Sequence, residues 1–262
     1  MRSRGTVYLA GAGPGDPKLV TLRTWELLAE ADVILYDRLV NPELLNRAKP
    51  SARLVDCGKR SGKHTRSQEE INRMLVEEAE KGNQVLRLKG GDPGIFGRVG
   101  EEAAWCAEHG VPFEIIPGVT SGVAAPIYAG IPPTHRGISA SVAFVTGHQG
   151  TEGSPEPDWK SLAAGVDTLV IYMGVGNLPS IRDVLLEGGL SPETPVALVR
   201  WGTMYGRQKA LTGTLGDIVK QVQETGFRSP AVIIVGEVVR LREKLVWFTG
   251  EESGTVKETV PL

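Results

Sequence analysis

The chain has few of the residues that metal sites and disulfide frameworks require. Its 262 residues include only two cysteines, Cys57 and Cys106, which lie far apart in the sequence. The four histidines, at positions 64, 109, 135 and 148, lack the close spacing of a metal-binding motif. We therefore expect reduced, buried thiols in a cytoplasmic protein that has no metal site.

Long apolar runs and an excess of basic residues are also missing. No apolar run approaches the roughly 20 residues that span a bilayer, and the short N-terminal apolar stretch is typical of a strand rather than a signal peptide. The formal net charge of −2 argues against a general nucleic-acid binder. We expect neither a membrane nor a nucleic-acid partner. A very acidic small substrate is still compatible, because it needs only local positive charge.

The residues that are abundant indicate an α/β protein. Hydrophobic residues make up 41% of the chain, and most of the 33 glycines lie between strand-like and helix-like segments. Strands and helices alternate up to the proline-containing stretch 130–138, after which the pattern restarts. This pattern predicts two α/β lobes, residues 1–135 and 136–248, with an active-site cleft between them. The polar tail 249–262 is predicted to fray.

The stretch 85–102, VLRLKGGDPGIFGRVGEE, has the sequence of a ligand-binding loop. An apolar strand stops at Gly90, Gly91 and Asp92, and a helix is predicted to start near residue 100. Open α/β sheets bind ligands at such turns, where glycines expose backbone amides. Arg98 and Glu101 follow the turn at a spacing of three. An ordinary strand–helix loop is the alternative for this motif taken alone.

Two earlier loops carry weaker signals. GAGPGD, residues 11–16, follows the first predicted strand but lacks the third glycine of a dinucleotide fingerprint at the correct spacing. Pro14 interrupts it and has no N–H to offer a phosphate, so the motif indicates a tight turn beneath a ligand. Asp37 ends the second predicted strand, at the functional edge of a parallel sheet. It could instead cap its turn or the short helix at residues 42–47.

Three further loops contain charged or hydroxyl side chains. The loop between Gly58 and Ser67 has five basic residues and no acid, which suits either a solvated loop or the capture of an anionic substrate. Thr120 and Ser121 begin a predicted helix, where they would suit a carboxylate, a ribose or a plain N-cap. Arg136 lies within the predicted linker 130–138.

Taken together, these loops resemble the tetrapyrrole (class III) methylase superfamily, and in particular its uroporphyrinogen-III C-methyltransferase family. The similar stretches keep the family's order through about residues 5–245. They are GAGPGDPKLVTLR (11–23), ADVILYDRLV (31–40), GKRSGKHTRSQEEIN (58–72), VLRLKGGDPGIFGR (85–98), PGVTSGVAAPIYAGIPPTHRG (117–137) and YMG (172–174).

This resemblance implies S-adenosylmethionine as methyl donor, S-adenosylhomocysteine as product, and no metal. The implied donor-binding positions are Pro14, Gly90, Gly91, Asp92, Ile95, Thr120, Ser121, Met173, Gly202 and Ala231. Family acid–base positions correspond to Asp37 and Lys59. Tetrapyrrole-contacting positions correspond to Arg98, Glu101 and Arg136. The base that removes a proton after methyl transfer could be Asp37, Glu101 or Arg98.

The implied reaction is methylation of uroporphyrinogen III at C2 and C7, giving precorrin-2 for sirohaem or cobalamin biosynthesis, by a homodimer. A sister methylase acting on a later corrin precursor is the nearest alternative. A nucleotide-binding regulatory module is disfavoured by the incomplete glycine motif. A bifunctional sirohaem synthase would need room for an additional N-terminal dehydrogenase–chelatase part.

Four positions depart from the usual family pattern. Gly94 stands where Phe is usual, and Val99 stands where Gly is usual. Thr24 replaces a usually small residue, and Gly122 replaces a usual Ala. Because all four neighbour matching positions, they bear on the loop shape and on donor affinity.

Overall fold

The computed structural model describes residues 4–58, 66–148 and 156–249, and they form two compact units. The first unit comprises Met1–Ala124 and the second comprises Ala125–Leu262. The predicted division at residues 135/136 falls later than this one. The reason lies in the packing of residues 125–131, because Ala125, Ala129 and Ile131 are buried in the core of the second unit. The predicted tail lies outside the described residues, except for its first one.

The first unit is built on a five-stranded, fully parallel sheet, as the alternating pattern predicts. Its strand order is β3-β2-β4-β1-β5. The strands are β1 (Val7–Gly11), β2 (Val33–Tyr36), β3 (Arg53–Asp56), β4 (Val85–Lys89) and β5 (Phe113–Ile116). The helices are α1 (Leu22–Glu30), α2 (Gln68–Glu80) and α3 (Val99–Glu108), followed by the first half of α4 (Ser121–Tyr128). Short 3-10 helices cover Pro17–Leu19 and Pro42–Arg47.

The three inner strands of the first sheet, β2, β4 and β1, are largely buried on both faces, which is the normal condition of a parallel sheet. One face packs Leu9, Leu35 and Val85 against Ile71 and Leu75 of α2. The other face packs Leu86 and Leu88 against α1 and the 3-10 helix at 42–47. The capping box expected at Ser67 and Glu70 begins α2. Because all five strands are parallel, their carboxyl ends meet at one edge of the sheet.

The second unit contains a mixed sheet with the order β6-β7-β10-β8-β9. Its strands are β6 (Val142–Thr146), β7 (Thr168–Tyr172), β8 (Pro195–Arg200), β9 (Lys209–Thr214) and β10 (Ala231–Val235). Only the β6–β7 pair is parallel; β10 runs antiparallel to both β7 and β8, and β8 runs antiparallel to β9. The helices are α5 (Trp159–Gly165), α6 (Leu178–Glu187), α7 (Ile218–Thr225) and α8 (Arg242–Leu245), with 3-10 helices at Val175–Asn177 and Glu237–Leu241.

Four of the second unit's strands and two of its helices follow the sequence pattern closely. The pattern does not reveal β9, which lies at the edge of the sheet and is partly exposed, nor the short helix α5. The stretch 130–138 also differs from a linker. Ile131 is fully buried, and backbone hydrogen bonds between His135 and Ser139 close a turn there.

Candidate functional site

Three glycines meet at the carboxyl edge of the first sheet. A Cβ atom at Gly118 would lie 2.4 Å from the carbonyl oxygen of Gly91 and 2.8 Å from Cα of Gly11. The backbones of Gly13 and Gly91 also exchange hydrogen bonds of 3.2 and 2.7 Å. Glycine is therefore required for the loops after β1, β4 and β5 to approach one another this closely.

Asp92 fastens two of these loops together. One carboxylate oxygen accepts a hydrogen bond of 2.7 Å from the amide of Gly94, and the other accepts one of 2.8 Å from the amide of Gly118. Both oxygens are thus engaged by backbone in this structure. The sequence-based prediction gives Asp92 a direct role toward the donor, whereas the geometry shows it shaping the loops around that position.

Three of the expected donor positions of the first unit, Gly91, Thr120 and Ser121, lie side by side at this edge. A Cβ atom at Gly91 would project toward the amide of Ser121 and Cα of Thr120, at 3.7 and 3.8 Å. Gly91 has a φ of +72°, which favours glycine and leaves this space clear of side chain. Pro14 follows Gly13, whose backbone pairs with Gly91. The loop after β4 thus lies beside the start of α4 with no side chain at Gly91 between them.

The loop from residue 90 to residue 98 is held in an unusual conformation. Phe96 and Arg98 have φ values of +53° and +59°, although neither is glycine. Such left-handed residues are uncommon outside glycine and cluster at functional sites. Ile95 is half-buried and Phe96 is exposed. At Gly94, a Cβ atom would meet only the Asp92 carboxylate, at 3.1 Å, so the absence of the family's Phe leaves an open position.

Arg98 and Glu101 form a bidentate ion pair at the start of α3. Nε and Nη2 of Arg98 donate to the two carboxylate oxygens of Glu101 at 2.7 and 2.6 Å. The hydrogen bonds of this pair raise the pKa of Arg98 and lower the pKa of Glu101. Both side chains are more than half exposed, so the pair itself adds little stability. Arg98 is therefore a poor base, and Glu101 becomes a weaker one.

Asp37 is at the end of β2 and is bound to a buried arginine. Nη2 of Arg87, on the neighbouring strand β4, donates to one carboxylate oxygen of Asp37 at 2.6 Å. The alternative role as a helix cap is wrong, because Asn41 caps the 3-10 helix at 42–47. The Asp37 side chain is 32% exposed at the same edge as the glycine loops. Arg87 thus fixes the Asp37 carboxylate, which is still accessible to a ligand.

Asp37 belongs to a connected cluster of four charged side chains, the other three being Arg87, Lys89 and Glu102. Glu102 of α3 is fully buried, and one of its oxygens accepts from Nε of Arg87 at 3.0 Å and from Nζ of Lys89 at 2.8 Å. Gln68 donates to the same oxygen at 3.1 Å. Burial and the neighbouring Arg87 lower the pKa of Lys89. The two cations and two acids thereby balance within the core.

In the second unit, two of the expected donor positions lie at one edge of the sheet. Arg200 pairs with Ala231 across β8 and β10, and the β10–β7 register brings Met173 to the level of Ala231. Met173 is left-handed, with φ +54°, and is 52% exposed. Gly202 follows β8, and a Cβ atom there would lie 2.2 Å from Cβ of Ala125. Gly202 is therefore needed for packing within this unit.

Arg200 has a buried Nε atom with no hydrogen-bond partner among the described residues. Lys209 lies directly opposite Arg200 on β9, so two like charges face the same side of the sheet. An unsatisfied buried donor costs about 1–3 kcal/mol. An acceptor supplied by a ligand at this edge would remove that cost.

Two predicted site residues remain, Arg136 and Lys59. Arg136 is exposed, in the turn that Gly137 closes with a φ of +81°. Lys59 lies outside the described residues, as does most of the basic loop. Within the described ranges, no cluster of His, Cys, Asp or Glu could hold a metal ion. No helix in those ranges is long and apolar enough to cross a membrane.

Sequence reasoning missed Arg87, Lys89, Glu102 and Gly118. A signal for the first two is present, because positions 87 and 89 put two cations on one face of a strand that is otherwise apolar. Such a face needs buried acids, but the sequence does not say which acids supply them. Gly118 is visible only as one glycine among many.

Comparisons with known proteins agree on one family. A family model described as Tetrapyrrole (Corrin/Porphyrin) Methylases matches residues 6–219. The chain is 52% identical over 247 residues to a Bacillus subtilis (strain 168) protein named uroporphyrinogen-III C-methyltransferase, covering 94% of this chain and 96% of that one. A Priestia megaterium protein of the same name is 56% identical over 235 residues, covering 90% and 98%. Several longer relatives are spanned over only about half their length.

A solved structure has the same fold. The uroporphyrin-III C-methyltransferase of Thermus thermophilus, in complex with S-adenyl homocysteine, superposes with a TM-score of 0.77. Its sequence is 43% identical, and the match covers 90% of this chain and all of that one.

Proposed function

The chain belongs to the tetrapyrrole (corrin/porphyrin) methylase family, and from that premise we propose that it methylates uroporphyrinogen III with S-adenosylmethionine. The membership confirms the predicted family and α/β fold. The proposed reaction is two methyl transfers, at C2 and C7, which yield precorrin-2. It uses no metal.

The observation that carries this proposal is the glycine-lined edge of the first sheet. Gly91 lies beside Thr120 and Ser121 at the start of α4 with no side chain of its own between them, and backbone and hydroxyl groups at such a strand–helix turn suit a polar donor. At the edge of the second sheet, the unpartnered Nε of Arg200 lies in the row of Ala231 and Met173. S-adenosylmethionine carries ring nitrogens and a carboxylate, either of which could accept a hydrogen bond from Nε of Arg200. Each of the two sheet edges, taken by itself, therefore offers groups that suit the donor.

The donor, when bound, supplies an electrophilic methyl group on a sulfonium. A pyrrole carbon of a porphyrinogen is nucleophilic, like an enamine, and needs no deprotonation before it reacts. The chain's main task is therefore to place the two partners, a contribution worth up to roughly 7–11 kcal/mol when the geometry is good. The left-handed loop residues and the close glycines serve this task by fixing the backbone around the site.

After methyl transfer the macrocycle carries positive charge and must lose a proton from a bridging carbon. Among the candidates Asp37, Arg98 and Glu101, the geometry favours Asp37 as the base; Lys59, the other acid–base position that the family resemblance implies, lies outside the described residues. Its carboxylate is fixed through one oxygen by Arg87, whereas Arg98 and Glu101 are bound to each other by two hydrogen bonds. A positioned general base contributes about 10²–10⁴-fold.

Carboxylate recognition is assigned to arginines. Uroporphyrinogen III carries eight carboxylates, and guanidinium groups bind carboxylates in a bidentate manner. Arg98 already makes such a bond with Glu101, so the substrate would exchange with Glu101 or extend the pair. Arg136 and the basic loop at 58–67 supply further positive charge.

The test is turnover. The enzyme is incubated anaerobically with uroporphyrinogen III and S-adenosylmethionine, and the oxidised product is examined by fluorescence and mass spectrometry. We expect a fluorescent product with two added methyl groups. If no methylated product forms while a later corrin precursor is methylated, the substrate assignment fails in favour of a sister methylase.

We also propose a homodimer in the cytoplasm, on the basis of the family resemblance. Light scattering during gel filtration tests the oligomeric state, with an expected mass of twice the 28.1 kDa chain. A monomer at working enzyme concentration would refute the dimer without affecting the reaction.

A further inference from the structure

Arg87 occupies an unusual place for a charged side chain. It lies in the central strand β4 of the first sheet, and its side chain is only 3% exposed. Burial disfavours a cation, but the adjacent Asp37 and Glu102 carboxylates outweigh that effect and raise the pKa of Arg87. A charge kept here at the expense of apolar packing calls for an explanation beyond filling the core.

The guanidinium group of Arg87 donates hydrogen bonds to two different carboxylates. Nε donates to Glu102 at 3.0 Å, and Nη2 donates to Asp37 at 2.6 Å. Nη1 is 3.5 Å from the carbonyl oxygen of Leu35 on the strand that leads to Asp37. Because the guanidinium is planar and rigid, its contact with Glu102 fixes the direction in which it meets Asp37.

Glu102 is the anchor on the other side. Arg87, Lys89 and Gln68 all donate to the same carboxylate oxygen of Glu102. The second oxygen is buried and has no partner among the described residues. Glu102 also follows Glu101 directly in the first turns of α3, where the Arg98–Glu101 pair is located. The buried cluster therefore connects Asp37 to the helix end that carries the proposed substrate contacts.

We propose that Arg87 is a positioning residue, which orients the Asp37 carboxylate at the sheet edge and, through Glu102, aligns that carboxylate with the start of α3. This role rests on the proposed function of Asp37 as base. One oxygen of Asp37 is held by Arg87, and the other is directed by that contact toward the porphyrinogen. Lys89 shares the anchor but, among the described residues, forms no hydrogen bond or ion pair with Asp37, so it serves as a matched control.

The kinetic test combines Arg87→Lys and Arg87→Met with Asp37→Asn. A lysine keeps the charge, but one ammonium group cannot donate to Glu102 and Asp37 with the fixed geometry of a guanidinium. We expect Arg87→Lys to lower kcat by about 10- to 100-fold, the size of effect that misplacement of a catalytic group produces. The affinity for S-adenosylhomocysteine, measured by calorimetry, is expected to stay close to that of the unmodified protein. In the Asp37→Asn background, either Arg87 substitution should cause little further loss of kcat.

Lys89→Met reports what mere disruption of the cluster does. We expect it to lower the stability, with a smaller loss of kcat that persists unchanged in the Asp37→Asn background. The proposal is overturned if Arg87→Lys leaves kcat unchanged, or if it lowers kcat equally with and without Asp37. Parallel loss of kcat and donor affinity would also overturn it, because that result indicates general damage.

A structural readout separates this proposal from the proposed function. Crystal structures of the unmodified protein and of Arg87→Lys, each with S-adenosylhomocysteine, are compared at Asp37. We expect a rotated Asp37 carboxylate in the variant. An unchanged carboxylate refutes the positioning role whatever the substrate is, whereas failure of the unmodified protein to methylate uroporphyrinogen III refutes only the proposed function.

Discussion

Gly118 brings two loop backbones closer together than any side chain would allow. We predict that Gly118→Ala destabilises the fold by about 1–3 kcal/mol, as overpacking does. The added Cβ atom would lie 2.4 Å from the carbonyl oxygen of Gly91, so one of the loops must move. Because Asp92 joins the same loops, affinity for S-adenosylhomocysteine should also fall. Urea denaturation and calorimetry measure the two effects.

Gly100→Ala is the matched control. Gly100 lies in α3, and a Cβ atom there would meet nothing within 4 Å. Removing a helical glycine should be neutral or should stabilise the protein by about 0.5–1 kcal/mol. Equal effects of the two substitutions would show that the close approach at Gly118 is not the cause.

Arg98 and Arg136 are predicted to act on the substrate rather than on the donor. Arg98→Lys and Arg136→Lys should raise the KM for uroporphyrinogen III, because lysine cannot form the bidentate contact. Calorimetric affinity for S-adenosylhomocysteine should change little. Arg182→Lys is the control, since Arg182 is another arginine paired with an acid, Asp183. Loss of donor binding in the Arg98 or Arg136 variant would contradict the assignment.

Because the Cys106 thiol is buried, the free energy of unfolding should fall as the pH rises above 9. Burial raises the pKa of this thiol from 9.0 to about 11. A raised thiol pKa favours the protonated form in the folded protein, so its contribution is complete below pH 9 and is lost as pH rises toward 11. The two-unit shift corresponds to at most about 2.7 kcal/mol. We predict that the free energy of unfolding falls more steeply over this range than in Cys106→Ala, as measured by urea denaturation at each pH. Parallel curves would contradict the prediction.

The placement of individual candidate residues was predictable when it depends on position along one segment. Asp37 at a strand end and Arg98 with Glu101 at a helix start are examples. Arg87 and Asp92 were not predictable in their roles, because their partners are distant in sequence. Arg87 reaches Asp37 and Glu102, and Asp92 reaches Gly118. A pattern along the chain contains no information on which acid a buried cation will meet.

At the scale of elements, predictability follows burial. Strands β1 and β4 of the first unit are apolar, are buried and run into glycine loops, so their bounds could be predicted closely. Strand β9, with the sequence KALTGT, is partly exposed along its length and has no clear alternation. It is a strand because β8 is beside it, which is a tertiary effect on a weak local preference.

Helix α2 offers a direct test of a predicted element. We predict that Ser67→Ala destabilises the protein by about 1 kcal/mol, because it removes the side chain that accepts from the amide of Glu70. Chemical denaturation measures this loss. Glu69→Gln, on the same first turn but paired among the described residues with exposed Arg73, should cost less. If both variants lose the same stability, the cap is not the source.

At the scale of the whole molecule, donor binding should stabilise the folded chain. With S-adenosylhomocysteine at about 100 times its Kd, the expected gain is about 2.7 kcal/mol. We therefore predict a rise in Tm of several degrees, measured by differential scanning fluorimetry. NAD or ATP at the same molar concentration should produce no shift in Tm. A shift with NAD or ATP alone would favour a nucleotide-binding module and would contradict the proposed donor.

The order of the second sheet has a consequence for synthesis on the ribosome. Strand β10 is the last strand in the described part of the chain, yet it lies in the middle of the sheet, between β7 and β8. Until Val235 has emerged, β7 and β8 have no partner on their inner edges, and unpaired apolar edges promote aggregation. A nascent chain that stalls before Ala231 should therefore be a strong chaperone client. A premature stop codon there should yield insoluble protein, although most of the fold has already been translated.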